Sequence, residues 1–181
     1  MEKQFENFKA FITEKGKQAK ACKEEYTRVL KSENYQELLQ VIKDNYNWCF
    51  NNSIFTKEEL IKLVPNEILL ENGFYYDYTG VIDGDKTVFL YDSTIQNVRG
   101  NATIQDVRGN ATIQNVWDNA TIQNVRDNAT IQDVWDNATI QDVRDNATIQ
   151  DVRDNGKYFK YEYGCKPKLF MRKDAFEIVE I

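Results

Sequence analysis

Between Asp92 and Asp154 one nonapeptide is written seven times, as DSTIQNVRG, NATIQDVRG, NATIQNVWD, NATIQNVRD, NATIQDVWD, NATIQDVRD and NATIQDVRD. A period of nine is two and a half helical turns, so the recurring Ala, Ile and Val would wander around a helix and never build an apolar face. The run is therefore not helical. A short fixed period with turn-forming residues at each boundary predicts a β-solenoid, in which a coil buries its apolar side chains only by stacking on the next coil.

Within a repeat, Ala and Ile are two residues apart and face the same way in a strand. Val, three residues further on, needs a bend or bulge at the intervening Asn or Asp to face inward as well. Thr, Gln and the Arg or Trp near the end of the repeat then fall outside. The Asp-Asn pair at most boundaries tolerates left-handed backbone, and stacked Asn side chains can form a ladder between coils.

Nine residues are too few to close around a core, so two repeats per coil are expected, with three per coil still open. Two per coil places Trp117 and Trp135 in one column, continued by Arg99 and Arg153 on either side, with Arg108, Arg126 and Arg144 on the opposite face. Guanidinium over indole is favourable by roughly 0.5–2 kcal/mol. Exposed tryptophan is enriched at binding hot spots, which makes Trp117, Trp135, Arg99 and Arg153 candidate binding residues; the plainer reading is that the two indoles cross-pack on a strand face.

The repeats contain ten Asp and five Arg and neither Glu nor Lys, a net charge of −5 within a chain of net charge −6. Over about 3.5 coils of roughly 4.8 Å each, that is about one charge per 3.4 Å, half the density of duplex DNA at one per roughly 1.7 Å. Such a balance disfavours direct binding to nucleic acid or to a membrane surface and favours a partner protein with a basic surface. Asp118, Asp127, Asp136 and Asp145, at the repeat boundaries, are the acidic candidates for that contact.

Ahead of the repeats, residues 1–72 read as a helical module. Phe5, Phe8, Phe11 and Ile12 share one helical face, and Gly16 is placed to end that helix. A second segment, from about Gln18 to Lys31, turns Cys22, Tyr26, Val29 and Leu30 inward. A third begins at Asn34, with Glu37 completing a capping-box-like pattern, and carries Leu38, Leu39, Val41, Ile42 and Tyr46 toward Trp48, Cys49 and Phe50. A fourth opens on Thr56 and Glu59, is interrupted at Pro65 and resumes in NEILLENG. Residues 73–91, aromatic and β-branched with an Asp83-Gly84 turn, form the junction and first coil, as two strands or as one strand and an irregular coil. Residues 92–154 are the solenoid. Residues 155–181, with Phe176, Ile178 and Ile181 alternating near the end, suit a strand-rich cap.

Several chemistries are excluded or disfavoured. The chain contains no histidine, which removes the usual neutral-pH base and the commonest metal ligand. Cys22, Cys49 and Cys165 make an odd, unpaired set, read as reduced thiols, with Cys22 and Cys49 buried on helices. Asn-Ala-Thr matches the glycosylation sequon but follows from an Asn turn and a Thr strand. Calcium rolls need a Gly-rich turn absent from most boundaries, and a single Thr per repeat among charges does not make an ice-binding face. Glu24, Glu25, Glu58 and Glu59 are solvated helix faces rather than catalytic carboxylates. No nucleophile elbow, P-loop or dinucleotide turn is present, so neither enzymatic activity nor a cofactor or metal is expected. The start carries scattered charges and no apolar run long enough to span a bilayer, giving a cytoplasmic expectation.

The repeat N-A-T-I-x-x-V-x-[DG], preceded by CKEEYTRVL and ELLQVIKDNYNWCFNN, resembles a family of uncharacterised repeat proteins of bacterial genomes and their prophages, over about Cys22 to Asp154. Members of that family have no assigned active site, so the resemblance transfers no residue roles. A prophage setting implies proteins that block host defences, among them anti-CRISPR inhibitors of RNA-guided nucleases. Taken together, the expectation is an α+β chain with an N-terminal α-helical module, a β-solenoid and a strand-rich cap. Its expected function is non-enzymatic: a protein-binding inhibitor of a nucleic-acid-handling nuclease. The alternative is a structural spacer or self-assembling solenoid.

Overall fold

The computed structural model describes residues 2–153 together with Lys157–Tyr158 and Lys168–Leu169, and divides the chain into two compact units, Met1–Asn72 and Gly73–Ile181. Cys165, Phe176, Ile178 and Ile181, and with them most of the expected cap, lie outside the described residues.

The first unit holds six helices: α1 (Glu2–Gln18), α2 (Lys23–Lys31), α3 (Tyr35–Asp44), α4 (Tyr46–Asn51), α5 (Lys57–Leu63) and α6 (Asn66–Glu71). Phe5, Phe8 and Ile12 of α1 bury the expected face, and Tyr35 packs on both phenylalanines at centroid distances of 5.3 and 5.9 Å. Gly16 does not end the helix. The chain stays helical to Gln18, and Lys20 takes the left-handed conformation (φ 56°). The amide N–H of Ala21 then donates to the Gly16 carbonyl (2.9 Å) and that of Lys20 to Lys17 (3.1 Å), a Schellman closure built without glycine.

Two further expectations for this unit are corrected. Cys22 is the extended N-cap of α2, outside its helical period, and is exposed; Leu30, one residue from the buried Val29 and so about 100° around the helix, is also exposed. The third helix is two: Asn45 turns out of helical geometry, and its side-chain Nδ2 donates both to Val41 O (3.0 Å) and to Glu25 Oε2 (2.8 Å). The caps follow the sequence. Asn34 accepts from the Glu37 N–H (2.9 Å), and the Glu37 carboxylate accepts from the N–H of Glu33, one residue before the cap (2.8 Å). Thr56 and Glu59 form a full capping box on α5. α6 ends at Glu71 with Asn72 as its C-cap, and Gly73 follows, whose φ of +84° and whose close approach to Thr87 O, 2.5 Å from where a Cβ would stand, admit only glycine.

The second unit is a parallel β-solenoid over residues 74–152. Its strands are β1 (Phe74–Tyr76), β2 (Thr79–Ile82), β3 (Thr87–Tyr91), β4 (Thr94–Val98), β5 (Thr103–Arg108), β6 (Thr112–Val116), β7 (Thr121–Val125), β8 (Thr130–Val134), β9 (Thr139–Val143) and β10 (Thr148–Val152). Two short strands follow, β11 (Lys157–Tyr158) and β12 (Lys168–Leu169). Odd strands stack into one sheet and even strands into the other. Thr94 pairs with Thr112 and Thr112 with Thr130, Thr103 with Thr121 and Thr121 with Thr139, so each coil holds two repeats. Residues 73–91 hold three strands rather than one or two, and the parallel stacking begins at Phe74, ahead of the first nonapeptide.

Ala, Ile and Val of the repeats are all buried and form one continuous core running from Ile82 to Val152. The pairing between coils passes over Gln96 and Gln114, the point where the pleat must change phase to bring Val inward. The side chains of Asn115 and Asn124 take up the Gln carbonyls of the preceding coil there, Nδ2 to Gln96 O at 3.2 Å and to Gln105 O at 2.8 Å.

Candidate functional site

The last residue of each of the first six repeats turns the chain from one sheet to the other. Asp118, Asp127, Asp136 and Asp145 have φ of 57°, 58°, 54° and 57°, and Gly100 and Gly109 hold the same position with φ of 70° and 67°. A left-handed turn residue leaves its own N–H without a ladder partner, and the carboxylate of the next coil supplies one. Asp118 Oδ2 accepts from Gly100 N–H (3.0 Å), Asp127 from Gly109 (2.9 Å), Asp136 from Asp118 (3.4 Å) and Asp145 from Asp127 (3.2 Å). Beside them runs an asparagine ladder, with Asn119 donating to Asn101 (3.3 Å) and Asn146 to Asn128 (3.3 Å). The four acidic candidates thus form two columns, one along each edge of the solenoid, and each carboxylate is also a turn-holding acceptor.

This double role gives a graded prediction. Asp127→Ala loses both the acceptor and a residue that tolerates left-handed backbone, and costs about 1–3 kcal/mol. Asp127→Gly loses only the acceptor and is less destabilising by about 1 kcal/mol. Urea denaturation of the two variants measures the difference, and equal losses would show that the left-handed turn imposes no strain on alanine.

On the face of the even strands, Trp117 and Trp135 lie in one column with ring centroids 5.6 Å apart and planes 15° apart. The Arg99 guanidinium sits 5.8 Å from the Trp117 ring and also binds Asp83 Oδ2 through Nε (2.9 Å). Arg153, at the other end, is engaged by Asp151 (2.7 Å) and Asp133 (2.9 Å). Trp135 is 36% exposed, whereas Trp117, between its neighbours, is less so, with its Nε1–H buried and lacking an acceptor among the described residues.

The odd-strand face departs from expectation. Arg108 is buried, not outside, because Asp106 two residues earlier on the same strand lies beside it at 1% exposure. Arg108 Nε donates to Asp106 Oδ2 (2.7 Å), and Arg126 Nε faces Asp106 Oδ1 from the next coil at 3.4 Å without an aligned hydrogen bond. Burial pushes the Asp106 carboxyl above the usual carboxylate range, opposed by the two arginines. Arg144 repeats the motif with Asp142, Nε to Oδ2 at 2.7 Å. The signal for these pairs was the recurring Asp-Val-Arg: when the middle residue points inward, the two around it share the outer side.

Every arginine of the repeats is therefore committed to a strand-face or loop carboxylate: Arg99 to Asp83, Arg108 and Arg126 to Asp106, Arg144 to Asp142, and Arg153 to Asp133 and Asp151. Asp118, Asp127, Asp136 and Asp145 form no ion pair among the described residues, so the uncompensated charge lies along the two edges. Among the described residues no three His, Cys, Asp or Glu side chains converge so as to hold a metal ion, and no helix is long and apolar enough to cross a membrane.

These features define a two-sheet β-solenoid with acidic edges and a tryptophan column, carried with a six-helix unit. Comparison with protein-family models, with curated proteins and with solved structures finds no match to this chain.

Proposed function

We propose that this chain is a non-enzymatic protein-binding inhibitor. Its solenoid presents the acidic edge of Asp118 and Asp136 beside the Arg99–Trp117–Trp135–Arg153 column to a partner with a basic surface. The partner class proposed is a nucleic-acid-handling nuclease, an RNA-guided nuclease among them, in line with the resemblance to prophage repeat proteins. One observation carries the reading: each of the five arginines is paired with a strand-face or loop carboxylate, which leaves regularly spaced edge carboxylates without an ion pair among the described residues, next to a partly exposed aromatic pair. Carboxylates in such a row complement a channel built for phosphates, and a tryptophan beside them supplies a desolvated anchor.

The test begins with the tagged full-length chain incubated in a bacterial lysate, with and without nuclease treatment, and the retained proteins identified by mass spectrometry. Trp135→Ala, a change at an exposed side chain, serves as the control. The expected result is one nuclease complex retained after nuclease treatment, lost with Trp135→Ala, whose cleavage activity falls when purified chain is added. Recovery of the chain alone would overturn the inhibitor reading and support self-assembly.

A further inference from the structure

The helical unit contains a cavity of about 170 Å³ between α1, α2, α3 and α4, walled by Ile12, Tyr26, Val29, Ile42, Trp48 and Cys49. The space is partly open to solvent at its rim, where Cys22 and Trp48 are exposed, and its size is that of an engineered cavity of roughly 150 Å³ lined by aliphatic and aromatic side chains that binds benzene. Three features of the sequence hold this one open. Gly16 lies within α1 in ordinary helical backbone, and a Cβ there would meet only Ala21 and Tyr26, each at 3.8 Å. Neither a turn nor a close contact demands glycine, although glycine weakens a helix. Ala21, the next wall residue, is equally small. The third feature is the break at Asn45, which swings α4 away from the line of α3.

The wall carries Glu25 and Asn45, bonded to each other. Glu25 Oε2 accepts from Arg28 Nη1 and from Asn45 Nδ2, both at 2.8 Å, while Glu25 Oε1 takes no hydrogen bond among the described residues. Glu25, whose side chain is 26% exposed, thus offers one acceptor oxygen at the rim of an otherwise apolar wall, which suits a ligand with a single donor. We infer that this cavity is a binding site for a compact aromatic molecule carrying one N–H donor. The site is independent of the solenoid and of the function proposed above.

Indole is the probe, titrated calorimetrically into the full-length chain, with its oxygen isostere benzofuran as the comparison. Saturable one-site binding of indole is expected, with benzofuran weaker. Ala21→Leu places a branched side chain in the space, and indole affinity should fall by at least about tenfold, equivalent to 1.4 kcal/mol. If circular dichroism shows Ala21→Leu unfolded, Val41→Ile, which adds a single methyl group to the wall, replaces it and should weaken indole several-fold. Absence of saturable binding, or affinity unchanged in the folded filling variant, would overturn the assignment.

Discussion

Replacing Arg108 by alanine lowers the stability of the solenoid by about 3–5 kcal/mol at neutral pH, and much of that loss disappears on acidification. Asp106 is 1% exposed and depends on Arg108 for its one well-aligned charged hydrogen bond, at 2.7 Å; Arg126 stands at 3.4 Å without alignment. Removal of Arg108 leaves a buried carboxylate facing only the unaligned Arg126. Burial already raises the Asp106 carboxyl against the pull of the two arginines, so losing one of them raises it further.

A carboxyl whose folded value lies above its unfolded value of about 3.9 binds its proton more tightly in the native state. Its contribution is therefore present below that unfolded value and is lost as pH rises through the folded value. Wild type and Arg108→Ala should accordingly converge near pH 4 and separate toward neutrality, as read by urea unfolding across that range. A difference that does not vary with pH would assign the effect to lost packing of the arginine stem instead. The double variant Asp106→Leu with Arg108→Met removes charge from both positions and should recover part of the loss, because an apolar pair can replace a buried ion pair with little cost, while Arg126, 13% exposed, then lacks the Asp106 carboxylate.

The same cluster marks where a reading of the residues alone reached its limit. Period nine, the Ala-Ile-Val core, two repeats per coil, the left-handed Asp and the tryptophan column all followed from rules that act locally or repeat identically, and each is present in the structure. Burial of Arg108 did not follow, because the eighth position is outward by pleat alone. Only the neighbouring coils and the Asp two residues away decide whether outward means exposed.

The third strand of the first coil escaped for a different reason. FYYDYTGVIDGDKTVFLYD lacks the nonapeptide, and its fit to the stack rests on the ring pair Phe74–Phe89 (5.3 Å) and on register shifts at Gly80/Val81 and Val88/Phe89. No periodicity announces such compensations. In the helical unit, the preference of glycine for the left-handed cap points to Gly16 as the stop, but Lys20 adopts that conformation and the glycine lies inside the helix beside a pocket.

Deletion of the single repeat Asn119–Asp127 should abolish the Trp117–Trp135 stack while leaving a solenoid in place. The two indoles are 18 residues apart and share a column only because two repeats make one coil. Removing nine residues between them moves Trp135 to the odd-strand face, over Arg108, and brings Arg144 over Trp117, since the Ala, Ile and Val positions of every repeat are interchangeable in the core. Deletion of Asn137–Asp145 removes the same length and nearly the same residues but lies beyond both tryptophans, and so preserves their stack. Ring-to-ring NMR contacts between Trp117 and Trp135 should vanish in the first variant and persist in the second. The first variant should also be the less stable, because it replaces Asn124 by Asp133 directly over the buried Asp106, setting two carboxylates side by side where the native column alternates Asp106, Asn124, Asp142. If the stack survived the deletion of Asn119–Asp127, the coil would not hold two repeats. If both deletions cost the same stability, the alternation of Asp and Asn would have no electrostatic role. If Trp135→Ala and the deletion of Asn119–Asp127 both abolish partner binding while the deletion of Asn137–Asp145 retains it, the stacked pair, rather than either indole alone, is the unit the partner recognises.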